Sequence, residues 1–408
     1  MIRAIVCAAL VLLLGGPIGG AAEEIGPESA WCGAIHALAP GDELVLRPGE
    51  YQGPCSIRRG GAPGAPLVIR AKDPEDPPRI IYLEQRANVL NIYADHIVIR
   101  GLQFGPTLRG VDAIRIYTAN DVTVEESRFV EVGGIAVVAN YASVRRITVR
   151  RNEIARSKAT ALYFGCHDGV GCTASELLIE QNYIHGVRAP DPEIGYGMEI
   201  KLGSTAIIRD NVVVDTKGPG IMLYGARELG RESVVERNFV ADSRTSSAIV
   251  VGGGPAIVRN NVAVSSAEAG IALENYGKRG LLRGIVVAHN TVYGNDKAGI
   301  LVPDEGRVEA AIVNNAAHAR TGTPAFPTGQ VGVLQLGNVD CTWVVCFLDP
   351  DKRNFSPLVI GAGSFLGGPW IPRDDYFGRR RGVPPIVGAI EQPGGPIPLG
   401  MKVVSPRP

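Results

Sequence analysis

Neither charge is in excess in this sequence: Lys and Arg total 41, and so do Asp and Glu. Nucleic acid and anionic membrane surfaces are held by a basic surplus, so neither is expected as a partner. Aromatic residues are scarce at 6%, and the apolar residues do not recur at helical spacing, which excludes a solenoid of helix pairs. Beyond an apolar run at residues 4–14 nothing is apolar enough to span a bilayer, which takes about 20 residues. Two catalytic signatures are missing as well. There is no Gly-x-Ser-x-Gly elbow for a Ser-His-Asp hydrolase, and Gly252-Gly253-Gly254-Pro255 is not followed by the Lys-Ser/Thr of a phosphate loop.

Glycine and proline, by contrast, are plentiful at 52 and 29 residues, and they punctuate short Val/Ile-rich runs. An Asn with apolar neighbours recurs at Asn152, Asn182, Asn211, Asn238, Asn261, Asn290 and Asn314, at spacings of 30, 29, 27, 23, 29 and 24 residues. Such spacings, with short strands and glycine turns, mark a solenoid of β-coils, so the chain reads as an all-β parallel β-helix. A buried turn leaves backbone groups in need of partners. Asn supplies them and tolerates left-handed backbone, so these residues read as structural.

Residues 1–22 have the layout of a signal peptide: Arg3, an apolar run, then Gly20-Ala21-Ala22. The expected protein is therefore secreted or periplasmic. Six cysteines follow, and their proximity in an exported chain favours disulfides 32 with 55, 166 with 172, and 341 with 346. A metal site at Cys166-His167-Asp168 with Cys172 is the rival reading, disfavoured because the spacing is not one zinc uses. The expected organisation is an N-terminal cap with first coils at 23–85, including a short amphipathic helix at 27–38. Regular coils then fill 86–318, and a less regular C-terminal coil and tail occupies 319–408. A monomer is expected.

Aligning the coils on a Gly/Ala plus apolar pair puts Ile114, Ile135, Leu162, Met198, Ile221, Ile249, Ile271 and Ile300 in the bore. Two residues on come Ile116, Val137, Phe164, Ile200, Leu223, Val251, Leu273 and Val302. A slip of one residue would bury Glu199 and Lys201 there, which supports the register. The outward residues form two columns. The first is Arg115, Ala136, Tyr163, Glu199, Met222, Val250, Ala272, Leu301; the second is Tyr117, Val138, Gly165, Lys201, Tyr224, Gly252, Glu274, Pro303. With coils about 4.8 Å apart, Lys201 and Tyr224 become neighbours, and Glu199 sits two residues from Lys201 on one strand. Loops at 167–173 and 187–196 are placed to wall a groove over them.

The opening segments Ala39-Pro40-Gly41-Asp42, Pro48-Gly49-Glu50-Tyr51 and Pro66-Leu67-Val68-Ile69-Arg70-Ala71, with the closing stretch at 375–391, resemble secreted right-handed parallel β-helix proteins of the pectate-lyase-like superfamily. Gly197-Met198-Glu199-Ile200-Lys201 followed by Gly220-Ile221-Met222-Leu223-Tyr224 loosely resembles the core of family-six polysaccharide lyases of alginate and dermatan. The resemblance implies a right-handed helix, Lys201 at the place of the base and Glu199 at that of a calcium ligand. Tyr224 stands where that family has Arg.

Cleaving a uronate chain by β-elimination requires a neutralised carboxylate, a base for the proton beside it and an acid for the departing oxygen. Lys201 and Tyr224, with Glu199 beside them, supply such groups. Tyr163, Arg115, Tyr117, His167, Arg188 and Glu274 are candidate sugar contacts on neighbouring coils and loops. The expected substrate is a polysaccharide, and calcium is a candidate cofactor through Glu199 and a loop carboxylate. Other readings stay open: a hydrolase or uronate epimerase on the same scaffold, a non-catalytic carbohydrate-binding surface protein, or a trio in which Glu199 and Lys201 form only an ion pair.

Overall fold

The computed structural model describes residues 20–226, 231–275, 281–304, 307–320, 322–358 and 371–401; residues 1–19 of the expected leader lie outside it. Short strands recur three to a coil and pair in parallel with the coil before and after. They build a 13-stranded sheet (A), a 12-stranded sheet (B) and a 10-stranded sheet (C) among the described residues. Each coil runs A, then B, then C, as in Ala206–Arg209, Val212–Thr216 and Ile221–Leu223. Strands this short cannot bury a face alone; stacking gives the molecule one continuous apolar bore. Ile114, Leu162, Met198, Ile221, Ile249 and Ile271 lie in it fully shielded from solvent.

The turn from A to B explains the sequence repeat. Asn211 donates through Nδ2 to Ile179 O at 2.9 Å and to Asn238 Oδ1 at 2.9 Å, and its own Oδ1 accepts from Asn182 Nδ2 at 2.9 Å. The same pattern links Asn152, Asn182, Asn211, Asn238, Asn261, Asn290, Asn315 and Asn338. Two details differ from the sequence reading. The ladder passes through Asn315, not Asn314, which instead gives its amide to His289 Nε2. And the left-handed residue is the one before each ladder Asn, such as Arg151, Gln181, Asp210 and Arg237. The Asn is thereby turned inward to bond along the stack.

Sheet A carries a second ladder at the last residue of its strands. Arg100, Glu125, Arg150, Glu180, Arg209, Glu236 and Arg259 occupy successive coils in register. The signs alternate along it, with Arg100 and Arg150 both 2.6 Å from Glu125 and Arg259 2.8 Å from Glu236. Opposite charges facing across strands are the favourable arrangement.

The ends are closed differently. At the N-terminus the helix Trp31–Ala37, shorter than the expected 27–38, buries Trp31 and Ile35 over the bore, and Cys32–Cys55 ties it to the first strand of sheet C. Cys166–Cys172 and Cys341–Cys346 form as well. Parallel pairing persists past His318 to Val339–Asp340. The chain then folds back over the outer face of sheet B, where Tyr376, Ala389 and Ile390 cover Val212, Phe239 and Val262. Arg381 anchors it through Glu391 and Asn260 Oδ1. Among the described residues no helix is long and apolar enough to cross a membrane.

Candidate functional site

Sheet C sets the outer face that carries the candidate residues. Its register pairs Arg115 with Val138, Val138 with Tyr163, Tyr163 with Glu199, and Glu199 with Met222. One coil departs from the sequence alignment by two residues. Val137 and not Ile135 pairs with Ile114, so Ala136 is buried, Val138 moves to the first column and Asn140 enters the second. The Gly133–Gly134 turn causes the shift: Gly134 N bonds Val111 O and Ile135 N bonds Asp112 Oδ1, so the turn takes up two residues before the strand begins.

Lys201 and Tyr224 stand on adjacent coils, fixed by the bond from Tyr224 N to Ile200 O. The Lys201 ammonium lies 4.3 Å from the Tyr224 ring centroid and 5.1 Å from that of Tyr163 on the other side. Its Nζ donates to Glu199 Oε1 at 2.6 Å. A cation between two aromatic faces is attracted by both. Contrary to the expectation of a trio open to water, the Lys201 and Glu199 side chains are only 1% and 5% exposed. An apolar patch of Leu202, Met222, Tyr224 and Val250 with Tyr196 surrounds them on this face. The disulfide-closed loop contributes by lying on Leu202: a Cβ at Gly169 would meet Leu202 Cβ at 2.8 Å. Burial pushes the Glu199 carboxyl above its usual range, and the Lys201 ammonium opposes that shift without cancelling it.

The remaining candidates divide by place. Arg115 shares the sheet C face but is held by Asp112 at 2.6 Å and Asn140 at 2.7 Å. Tyr117 belongs to a row of rings, stacked on Tyr93 at 4.5 Å and edge-on to Tyr141 at 5.2 Å. His167 is exposed on the disulfide loop, next to Asp168, which bonds the backbone of Val170 and Gly171. Glu274 lies three coils from Lys201, roughly 14 Å at the usual strand spacing. Arg188 lies at the corner between sheets B and C, with its Nη2 2.5 Å from Asp215. A hydrolase on this scaffold needs a second carboxylate beside Glu199, and the loop acids Asp168, Asp191 and Glu193 are engaged elsewhere: Asp168 with the Val170 and Gly171 backbone, Asp191 with Lys217 and Glu193 with Arg109.

Calcium takes six to eight oxygens. Glu199 commits Oε1 to Lys201, and among the described residues no group of three or more His, Cys, Asp or Glu is placed to hold a metal ion. The donor set does not fit that ion, and no step below passes through a metal.

Stacked parallel rungs and an inward Asn ladder define a parallel β-solenoid, with a candidate cluster enclosed on the outer face of its middle coils. The chain belongs to the family described as right handed beta helix region, which residues 112–338 match. Solved structures similar to it include pectate lyase Pel9A, at TM-score 0.52 and 15% identity over 91% of this chain and 96% of that one. The GH87 alpha-1,3-glucanase catalytic unit from Streptomyces thermodiastaticus is similar at TM-score 0.52 and 16% identity, over 81% of this chain and 70% of that one. So is the A-module of mannuronan C-5 epimerase AlgE6 from Azotobacter vinelandii, at 0.50 and 13%, over 76% and 93%. At these identities the likeness is one of fold. No curated relative matches the chain by sequence.

Proposed function

We propose that this β-helix acts on a polysaccharide and cleaves a uronate-containing chain by β-elimination at Lys201, in an oxidising compartment to which its three disulfides are suited. The observation that carries the reading is the Lys201–Glu199 pair held out of water between Tyr163 and Tyr224. Charges there cost several kcal/mol of desolvation, which an apolar pair of similar volume would not, so the pair has no advantage for stability. The similar structures add polysaccharide-acting proteins of three reaction types on one scaffold.

The chemistry follows from the contacts. A proton passing from Lys201 Nζ to Glu199 Oε1 leaves a neutral amine, a transfer favoured by a carboxyl whose proton affinity burial has raised. With the Leu202 and Tyr196 side chains displaced by substrate and Tyr224 kept in place, the amine takes the proton beside the uronate carboxyl. The C–H electrons become the new double bond, the bond to the glycosidic oxygen breaks, and the Tyr224 hydroxyl protonates that oxygen. Tyr224→Phe keeps the ring that holds the ammonium and removes only the hydroxyl. It should lower formation of unsaturated product by about 100-fold or more, read by ultraviolet absorbance over a panel of uronate glycans; unchanged rates would refute the acid role.

One observation favours a second reading, a glycan-binding β-helix without catalysis: at 1% exposure Lys201 is out of a polymer's reach in this conformation. Binding with no product from any glycan of the panel would establish it.

A further inference from the structure

The corner where sheet B turns into sheet C carries a column of side chains that differs from the ion ladder of sheet A. Backbone bonds run from Arg188 N to Ser157 O, from Lys217 N to Val187 O and from Arg244 N to Thr216 O. In a parallel ladder each such bond sets the donor level with the residue after the acceptor. Lys158, Arg188, Lys217 and Arg244 therefore hold one position on four consecutive coils, spread over roughly 14 Å at the usual strand spacing.

Stacked like charges destabilise a sheet. From Arg100 to Arg259 sheet A avoids them by alternating signs, with only Arg70 and Arg100 alike at its start, whereas here four cations stand in a row. Their counter-charge is incomplete. Asp215 serves both Arg188 and Arg244, at 2.5 Å each, and Asp242 adds a second carboxylate within electrostatic reach of Arg244. Asp191, at 2.6 Å from Lys217, is 95% exposed. Lys158 is exposed and has no ion-pair partner among the described residues. Alongside opens a groove of about 710 Å³, lined by the basic Arg109, Arg156, Lys158, His185 and Arg188 and by two acids, Glu131 and Asp215. Arg109 and Arg156 reach their acids at 3.0 Å, with side chains 70% and 56% exposed.

We infer that this corner column and its groove bind a linear polyanionic glycan, carboxylated or sulfated, laid along the solenoid axis with its anionic groups on successive coils. A single-stranded nucleic acid would call for a file of rings on which bases stack, and the column carries none. The inference rests on the polysaccharide reading for the nature of the ligand but not on the chemistry at Lys201.

The test measures binding to the Tyr224→Phe protein, in which turnover is suppressed, by fluorescence polarisation. The probes are labelled oligouronate and sulfated oligosaccharide long enough to cross four coils, a neutral glucan and a single-stranded oligonucleotide. One or both anionic glycans should bind, weaken as salt rises, and lose at least about tenfold in affinity in Lys158→Ala/Arg244→Ala, a pair that leaves Asp215 bonded to Arg188. Arg283→Ala, at another corner, should bind as the parent does. Equal affinity in the column variant, binding of the neutral glucan as tight as that of the anionic ones, or preference for the oligonucleotide overturns the inference. Failure of cleavage with column-dependent binding overturns only the lyase reading; cleavage with binding indifferent to the column overturns only this one. Melting of each variant checks that the fold is kept.

Discussion

Lys201 and Glu199, two residues apart on one strand, meet at 2.6 Å on the outer face of the solenoid with almost no solvent contact. Removing one partner strands the other charge in an apolar patch. Lys201→Met alone should therefore lower stability by about 3–5 kcal/mol, while Glu199→Leu/Lys201→Met together should come within about 1 kcal/mol of the parent or exceed it. Urea midpoints of the three proteins check this. A single variant as stable as the parent would mean that water reaches the pair.

The Asn ladder should be most sensitive in its interior. Asn211→Ala strips the acceptor from Asn182 N and Nδ2 and the donor from Ile179 O, all buried. The expected loss is about 3 kcal/mol or more, since each orphaned buried group costs about 1–3 kcal/mol. Asn338→Ala, at the half-exposed end of the ladder, should cost less because water can replace it. Equal losses at the two sites would contradict the ladder's role.

Acid should loosen the C-terminal segment through His289. Burial, with Arg381 adding to it, pushes this imidazole down to about 3. Nδ1 donates to Ile386 O while Nε2 accepts from the Asn314 amide, which requires the neutral ring. A depressed folded value means the stability is present above the ordinary value near 6.5 and is lost as pH falls below it. The slope should be roughly 1.4 kcal/mol per pH unit between about 6.5 and 3. His289→Gln should flatten that slope relative to the parent, measured between pH 7 and about 5, before most carboxylates titrate. An unchanged slope would place the proton uptake elsewhere.

Chelation gives a fourth check. With Glu199 committed to Lys201, cleavage of a uronate glycan should proceed unchanged in excess EDTA. Loss of activity restored by calcium would show that the ion is held by a ligand set other than the one expected here.

The fold was legible because its signals are local and repeated. Asn at a near-constant spacing, glycine turns and apolar alternation recur on every coil, so an error on one does not spread. The departures lie where a coil breaks the average: Gly133–Gly134 takes up two residues ahead of Val137, and of the adjacent asparagines at 314 and 315 the spacing picks Asn314 where the ladder runs through Asn315. Alternation told which side chains leave the bore, and that placed Glu199, Lys201 and Tyr224 together. It did not say what covers them, since Leu202, Tyr196 and the disulfide loop come from segments outside the strand pattern.

The basic corner was missed for a related reason. Lys158, Arg188, Lys217 and Arg244 are 30, 29 and 27 residues apart, the same intervals as Asn152, Asn182, Asn211 and Asn238. The signal was in the repeat, six residues downstream of each Asn, but a chain with balanced charge gives no cue to look for it.

The chain by itself determined the solenoid and the inward face of most coils, and favoured the three local disulfides, because stacking similar turns leaves one arrangement that fills the bore and satisfies the buried Asn. The tertiary structure alone decided that the lysine at the centre of the outer face is enclosed and that four distant cations form a line. Enclosure depends on how loops fold over the strands, and alignment depends on the register between coils, neither of which a local pattern specifies.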